Sequence, residues 1–550
     1  MNNSLISNRS YFFLFSLLGL VYITGLLVPL MDNDSAHHAN IALRMYLTGD
    51  YVTLIDYDTD YLDKPHLHFW LCAISYNIFG VTTFAYKFPS FLFTILGTYS
   101  TYRLGRSLYN NETGKLAALI VASSFAYILA NIDVRMDAIL TASIIFATWQ
   151  LVEFVHHKKI MNVVGAAWGL ALGFCTKGHI AVFTPAVGIF FYILYRKDWR
   201  LFLNWKWLLM IIFFLLFISP VLYCYYLQFD LHPEKSVRGR DHISGIRFIL
   251  LNQSIERFRG EGHGFEAAND YFFFIHSFLW AFAPWSVLAY ITFVSRLKSF
   301  LSRKEEWLTT GVFAVIALLI SFSGFKLPHY LNIVFPTTAV MTASFLLQHV
   351  NNTKWSKYIF ITQVVMVVLL LLFSAVINVW AFPIQKILII VVGVILLALV
   401  FYYFINKNIS LLQKAFCVSV ATVILPFFLL NANFYPQLLR YQAGNELAKD
   451  IKDKVDPSTI YFWKDVYSFS FCFYTQTLRK QFSDSVLQNK SSVWLLTDAT
   501  GVEIVKRNYI IRRQLSHIDF EITKLTLPFI NPSKRKTKCS RLFLINISIK

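Results

Sequence analysis

Charge is scarce in this sequence. Asp, Glu, Lys and Arg make up 15% of its 550 residues, against 56% hydrophobic and 17% aromatic. Together with many long apolar runs, so thin a supply excludes an ordinary water-soluble protein and marks a polytopic membrane protein. Acids are the scarcer sign, 31 against 50 basic residues, for a net charge of +19. Such an excess can answer to nucleic acid, but Lys and Arg stand in short groups beside apolar runs. There they set topology and meet lipid headgroups. No zinc-finger spacing or basic-aromatic groove accompanies them, which speaks against a nucleic-acid partner.

Cysteine is also sparse. Of Cys72, Cys175, Cys224, Cys417, Cys472 and Cys539, none forms a C-x-x-C pair. Four lie in or beside apolar runs, where Cys acts as a small hydrophobe. Cys472 and Cys539 lie in a polar tail, where their pairing is open. The first apolar run, 11–31, is too long for a signal-peptide core and lacks a small-x-small cleavage site, so it reads as an uncleaved span. No internal repeat or low-complexity tract is present.

What remains is a stack of apolar segments. A span needs about 20 apolar residues, and the runs 11–31, 83–105, 115–132, 138–155, 161–178, 180–195, 204–226, 271–294, 307–325, 329–348, 357–382, 384–406 and 413–433 give about thirteen transmembrane helices. The short run 66–80 reads as a helix at the interface. Arg103 and Arg106, Lys158 and Lys159, Arg196, Lys197 and Arg200, Arg296, Lys298, Arg303 and Lys304, Lys354 and Lys357, and Lys407 then share one side with the N-terminus. The positive-inside rule makes that side the cytoplasm. The other face receives 32–70, 133–137, 177–179, 229–270, 326–330 and everything after about residue 433. From 434 to 550 the apolar runs shrink to strand length, at 458–463, 492–496 and 541–549, with a helical pattern over 441–454. This predicts a small extracytoplasmic α/β domain at 434–550 behind a membrane domain at 1–433, whose first loop runs 32–82.

Ionisable groups gather in the non-cytoplasmic loops, and charge at a bilayer edge is costly unless solvated, paired or used. The first loop holds Asp32, Asp34, His37, His38, Asp63 and Lys64. The next brings Asp133, Arg135 and Asp137; then come Lys177 and His179; then Glu256, Arg257, Arg259, Glu261, His263, Glu266 and Asp270; then Lys326 and Tyr330. Acids for proton transfer and cations for a phosphate thus converge at one interface. That suits group transfer from a phosphorylated lipid.

In chain order these loops carry Asp34-Ser35 with a following segment that ends in Gly49-Asp50. Next are Lys64-Pro65-His66-Leu67-His68-Phe69-Trp70, Tyr86-Lys87-Phe88-Pro89-Ser90 and Leu104-Gly105-Arg106. Arg135-Met136-Asp137 and Thr176-Lys177-Gly178-His179 follow. Glu256-Arg257-Phe258 with His263 and Pro284-Trp285 come next, and Ser323 to Tyr330 closes the series. The ordered series resembles the polyprenyl-phosphate-dependent glycosyltransferases of the GT-C class, such as lipid A aminoarabinose transferases and protein O-mannosyltransferases. It covers roughly residues 30–336. Ser35 stands where that family has Glu, and His66 and His179 stand where it has Pro. These departures beside the site point to a different sugar or acceptor.

The resemblance implies GT-C architecture and transfer of a sugar from a polyprenyl phosphate, such as undecaprenyl phosphate, to a lipid A-like or glycan acceptor at the extracytoplasmic face, with inversion. It further implies a bacterial inner membrane. Asp34 becomes the candidate base or acceptor-orienting acid, where spacing alone would make it a helix N-cap. Asp137 becomes the second acid, where the plainer reading is a salt bridge to Arg135 or an N-cap. Lys64, Lys326 and Arg257 become candidates for the donor phosphate, although Lys at a helix end often only snorkels. Tyr330, Glu256 and His263 are candidate substrate contacts, and Asp32 reads as a solvated neighbour. A metal on His37, His38, His66, His68, His263 and Asp63 lacks tight ligand spacing and is not favoured; cations alone can stabilise a leaving phosphate, so no cofactor is required. Two rival classes remain: a lipid-linked-sugar flippase, and a non-catalytic subunit whose tail binds a partner. Within the enzyme class, O-mannosyl transfer to Ser or Thr is the alternative.

Overall fold

The fold is seen in a computed structural model that describes residues 5–32, 34–237, 239, 241–259 and 270–550, with the side chains of residues 254, 257, 258 and 489 outside the description. The chain starts with α1 (Asn8–Gly25), followed by α2 (Asp34–Thr48), a short hairpin of β1 (Ile55–Asp56) and β2 (Thr59–Asp60), and α3 (Leu67–Phe79). Then come α4 (Thr83–Leu108), α5 (Asn111–Ala122), α6 (Phe125–Ile132), α7 (Asp137–His157), α8 (Ile160–Lys177) and α9 (Ile180–Arg196). Each of the thirteen apolar runs is helical, as one helix or a broken pair.

Among the described residues, seven helices are long and apolar enough to cross a membrane, or eight if the pair α5 and α6, bent by 54°, is one span. Apolar character separates them further. Asp137–His157, Pro328–Gln348 and Leu411–Tyr441 are 83–89% buried in protein, whereas Lys206–Asp230 and Ile387–Ile405 are only 17% buried. Exposed Leu, Ile and Phe all along those outer helices are compatible with a lipid surround and not with water. The chain is a multi-pass membrane protein.

The hairpin of α7 and α8 positions the site. Gly169 and Gly173 form a G-x-x-x-G face on α8, the small-residue pattern that lets membrane helices approach closely. A Cβ at Gly169 would lie 3.0 Å from the Ala147 backbone N, and one at Gly173 would lie 3.4 Å from the Ser143 Cβ, both on α7. This antiparallel packing sets the first residue of α7, Asp137, beside the last of α8, Lys177. Each charge also complements the dipole of its own helix end. Lys87 of α4 is fully buried, and its Nζ donates to the carbonyls of Gly25 (3.2 Å) and Val28 (2.6 Å), closing the C-terminal end of α1. The basic residue of the Tyr-Lys-Phe-Pro-Ser stretch is therefore a fastener that fixes where the first loop begins.

Residues 460–549 hold a four-stranded sheet of β3 (Ile460–Phe462), β4 (Val493–Asp498), β5 (Tyr509–Asp519) and β6 (Ser540–Ile549) in the order β3-β4-β6-β5. The β3–β4 pair is parallel and the other two are antiparallel. The helix Ala443–Ile451 packs on it through Leu447, Ala448 and Ile451. Three strands fall on the expected runs; β5 is a strand that the apolar pattern did not reveal. Cys472 and Cys539 are free thiols, so the tail pairing left open by the sequence is not made.

This sheet region docks on the first loop. Asp32 is not a solvated neighbour: its carboxylate accepts from Ser470 N (2.6 Å) and from the hydroxyls of Ser468 and Ser470 (3.0 Å each). Its own backbone N–H donates to Gln442 Oε1 at 2.7 Å. Phe469 stacks on His37 with ring centroids 4.6 Å apart.

Candidate active site

A cavity of about 680 Å³ opens where the first loop, the ends of α7 and α8, the segment before Pro328–Gln348 and the sheet region meet. Asp34, Lys64, Asp137 and Tyr330 all line it. Four of the residues singled out in the sequence, from four separate stretches, thus share one space. Lys326 does not line it although Phe325 and Leu327 do; Lys326 is buried, with Nζ 5.4 Å from the Tyr271 ring centroid. Glu256 is buried and also lies off the cavity wall. His263 and the Arg257 side chain lie outside the described residues.

Two ion-pair systems organise the acids. In the first, the Arg135 guanidinium donates to Asp34 Oδ2 at 2.9 Å and, through Nε and a terminal nitrogen, to Asp133 Oδ2 at 3.0 and 2.9 Å. In the second, Lys177 Nζ donates to Asp137 Oδ1 at 2.8 Å, and His329 Nε2 stands 3.9 Å from Oδ2. The local alternative of an Arg135–Asp137 bridge is thereby corrected: Arg135 reaches across to α2 and Asp137 is taken by Lys177. Nor is either acid acting as an N-cap: each is already the first residue inside its helix, α2 and α7. Lys177 also sits 4.9 Å from the ring centroid of Tyr330. Lys64 pairs with its neighbour Asp63, and both line the cavity.

The two systems differ in solvation. The Asp137 side chain is 3% exposed and Asp34 is 45% exposed. Asp137 and Lys177 therefore form a fixed, buried pair, while Asp34 and Arg135 face the open side, where a substrate can reach them. Near the wall, burial holds the imidazole of His38 well below its ordinary pKa and lowers His66 to about 4 and His68 to about 3. These histidines are neutral near pH 7 and add no charge for a phosphate. Among the described residues, no group of three or more His, Cys, Asp or Glu side chains is placed to hold a metal ion.

Several lining residues were not assigned to the site from sequence. Arg135 and Lys177 stood in the quoted motifs, but their partners lie 101 and 40 residues away. Phe469, Glu521, Thr523 and Lys524 come from the sheet region, whose sequence offers no motif to tie it to the membrane helices.

Residues 63–224 match the family model of dolichyl-phosphate-mannose-protein mannosyltransferases. An undecaprenyl phosphate-alpha-4-amino-4-deoxy-L-arabinose arabinosyl transferase of Pseudomonas aeruginosa is 25% identical over 283 residues, 50% of this chain and 49% of that protein. One from Proteus mirabilis is 25% identical over 325 residues, 57% of this chain and 56% of that protein. The chain spans about half the length of the curated relatives it matches. The fold is similar to that of ArnT from Cupriavidus metallidurans bound to undecaprenyl phosphate, with a TM-score of 0.75 and 14% identity over 98% of both chains. Over about half its length the chain is similar in sequence to these aminoarabinose transferases, and its fold is similar to that of ArnT.

Proposed function

We propose that the protein is a glycosyltransferase that takes a sugar from a polyprenyl monophosphate and passes it to a lipid or glycan acceptor in the bacterial inner membrane. The observation that carries this reading is the single cavity in which Asp34, Arg135, Asp137, Lys177 and Lys64 converge. The names of the relatives and the undecaprenyl phosphate bound by the similar ArnT structure support the donor class. In this reading the chain crosses the bilayer thirteen times, with residues 1–433 as the membrane domain and the N-terminus in the cytoplasm. The cavity and an α/β domain at 434–550 face the other side.

The reaction breaks the bond between sugar C1 and the phosphate oxygen, and the electron pair leaves with that oxygen. An acceptor oxygen forms the new bond to C1 from the opposite face, inverting the anomeric centre. Lys64, on the cavity wall, neutralises the charge that builds on the departing phosphate. Tyr330, on the cavity wall, contacts substrate. Asp137 is held rigid by Lys177 and positions the sugar. A hydroxyl acceptor must lose its proton to Asp34. An acceptor phosphate arrives ionised, and Asp34 then serves by orienting Arg135 towards it. The hydrogen bond from Arg135 to Asp34 favours this second role, because it already aims the guanidinium from the carboxylate.

The test is a transfer assay in lipid nanodiscs with radiolabelled polyprenyl-phosphate sugars and a membrane extract. Label should move to a new lipid or glycan with wild type and not with Asp34→Asn. Donor crossing the bilayer in both proteins, with no transfer from any donor, would replace the enzyme with a flippase.

A further inference from the structure

The last acid in the sequence is Glu521. From 522 to 550 the chain holds Lys524, Lys534, Arg535, Lys536, Lys538, Arg541 and Lys550 and no Asp or Glu. Four of these basic residues fall within the five positions 534–538. Their place in the fold is fixed by Arg535, which is 8% exposed. Its guanidinium donates to Ala381 O at 2.7 Å, to Ile530 O at 3.1 Å and to Phe529 O at 2.9 Å, and lies 3.9 Å from the centroid of the Phe382 ring. Ala381 is the last residue of the apolar helix Thr353–Ala381.

That contact ties the turn Arg535–Lys538 to the level at which a membrane span ends. Two observations mark the level as the bilayer surface. Val379 and Trp380, just before the contact, are 70% and 51% exposed on the outside of the span, as are Ile387 and Leu388 at the start of the next, at 73% and 70%. An exposed Trp at a span end is the usual interfacial anchor. The connection between the two spans is itself held in place: Asn433 donates to Phe382 O at 2.8 Å and Gln437 to Pro383 O at 3.1 Å. It presents Lys386, which is exposed. Lys534, Lys536 and Lys538 are exposed around the buried Arg535, and Leu527 nearby in sequence is 82% exposed. A row of free-standing lysines at headgroup depth, beside lipid-facing apolar side chains, matches the charge and layering of an anionic bilayer surface.

We infer that Lys534, Lys536 and Lys538, held at the end of the span Thr353–Ala381 by Arg535, form a binding surface for the phosphate headgroups of anionic lipids, with Lys386 at its edge. The occupant is membrane lipid. It is separate from the sugar donor, since none of these lysines lines the cavity. Exposed lysines near a span end favour anionic over zwitterionic headgroups. The surface also fixes the sheet region against the bilayer without any further span.

The test uses delipidated full-length protein in a neutral detergent, with short-chain phosphatidylglycerol, short-chain phosphatidylcholine and inorganic phosphate as probes, read by native mass spectrometry. Wild type should retain phosphatidylglycerol and not phosphatidylcholine. The triple variant Lys534→Ser/Lys536→Ser/Lys538→Ser should retain at least about 10-fold less, a loss of about 1.4 kcal/mol by the usual conversion. Single substitutions at Lys536 and Lys538, whose side chains are on the surface, give the same direction should the triple variant not fold. Equal retention by wild type and variants, or equal retention of both lipids, overturns the proposal. Retention of inorganic phosphate in place of lipid overturns the lipid as occupant.

Discussion

Lys177, the last residue of one helix, and Asp137, the first of the preceding one, meet at 2.8 Å with side-chain exposures of 10% and 3%. Both charges are drawn from water, and each is tolerable only because of the other. Lys177→Met is therefore expected to destabilise the protein by about 3–5 kcal/mol, since it strands a buried carboxylate. Adding Asp137→Asn should recover most of that loss while leaving sugar transfer low. Thermal unfolding of both variants in nanodiscs checks the first claim and single-turnover transfer the second. Simple additivity of the two substitutions would show that the pair is not coupled.

Asp34→Asn should separate chemistry from stability. The Asp34 side chain is 45% exposed, so its bond to Arg135 contributes on the order of 1 kcal/mol or less. The melting temperature should barely move. Loss of a positioned acid should lower transfer by about 100-fold or more for a hydroxyl acceptor, and by much less for an acceptor that is already ionised. The size of the drop thus reads out the acceptor class.

Lys64→Ala should act on the donor. Removing a hydrogen bond to a charged group costs about 1.5–3 kcal/mol, or roughly 10- to 150-fold in kcat/KM for the polyprenyl donor. Acceptor KM should hold steady. A matched rise in both KM values would place Lys64 in the scaffold and not on the phosphate.

Asp32 gives a pH dependence whose sign can be worked out. Burial pushes its carboxyl up to about 6, against the opposing pull of hydrogen bonds from Ser470 and Ser468. The ordinary value is about 4, so between these limits the folded chain binds more protons than the unfolded one. Its contribution is complete at pH values below about 4 and is lost as pH rises through about 6. Asp32→Asn should flatten the fall in melting temperature between about pH 4 and 6. An unchanged slope would assign that fall to other groups.

The helices were legible because hydrophobicity is local: a run of about 20 apolar residues needs no partner to be recognised. The number that cross a membrane was less so. α4, for example, is 26 residues long but interleaves Thr, Ser and Tyr with Lys87, Arg103 and Arg106. The strand β5 was hidden by Arg512, Arg513 and His517 on an edge strand, and by a register shift between Ile511 and Arg513 that breaks its alternation. Asp34, Asp137, Lys64 and Tyr330 could be gathered from ordered motifs. Their pairings could not, since Arg135 finds Asp34 only after two helices have packed. Asp32 was misjudged for the same reason: its serine partners lie 436 and 438 residues further along.

The cavity wall has a history in time as well as a place in space. Phe469, Glu521, Thr523 and Lys524 belong to it, and all four follow the last membrane helix in the order of synthesis. When the ribosome has delivered every apolar segment, the vessel is still open on one side. Asp32, made early, waits for Ser468 and Ser470 to arrive. The wall of the cavity is thus completed late, and a chain halted after the final membrane helix would lack Phe469, Glu521, Thr523 and Lys524 from it.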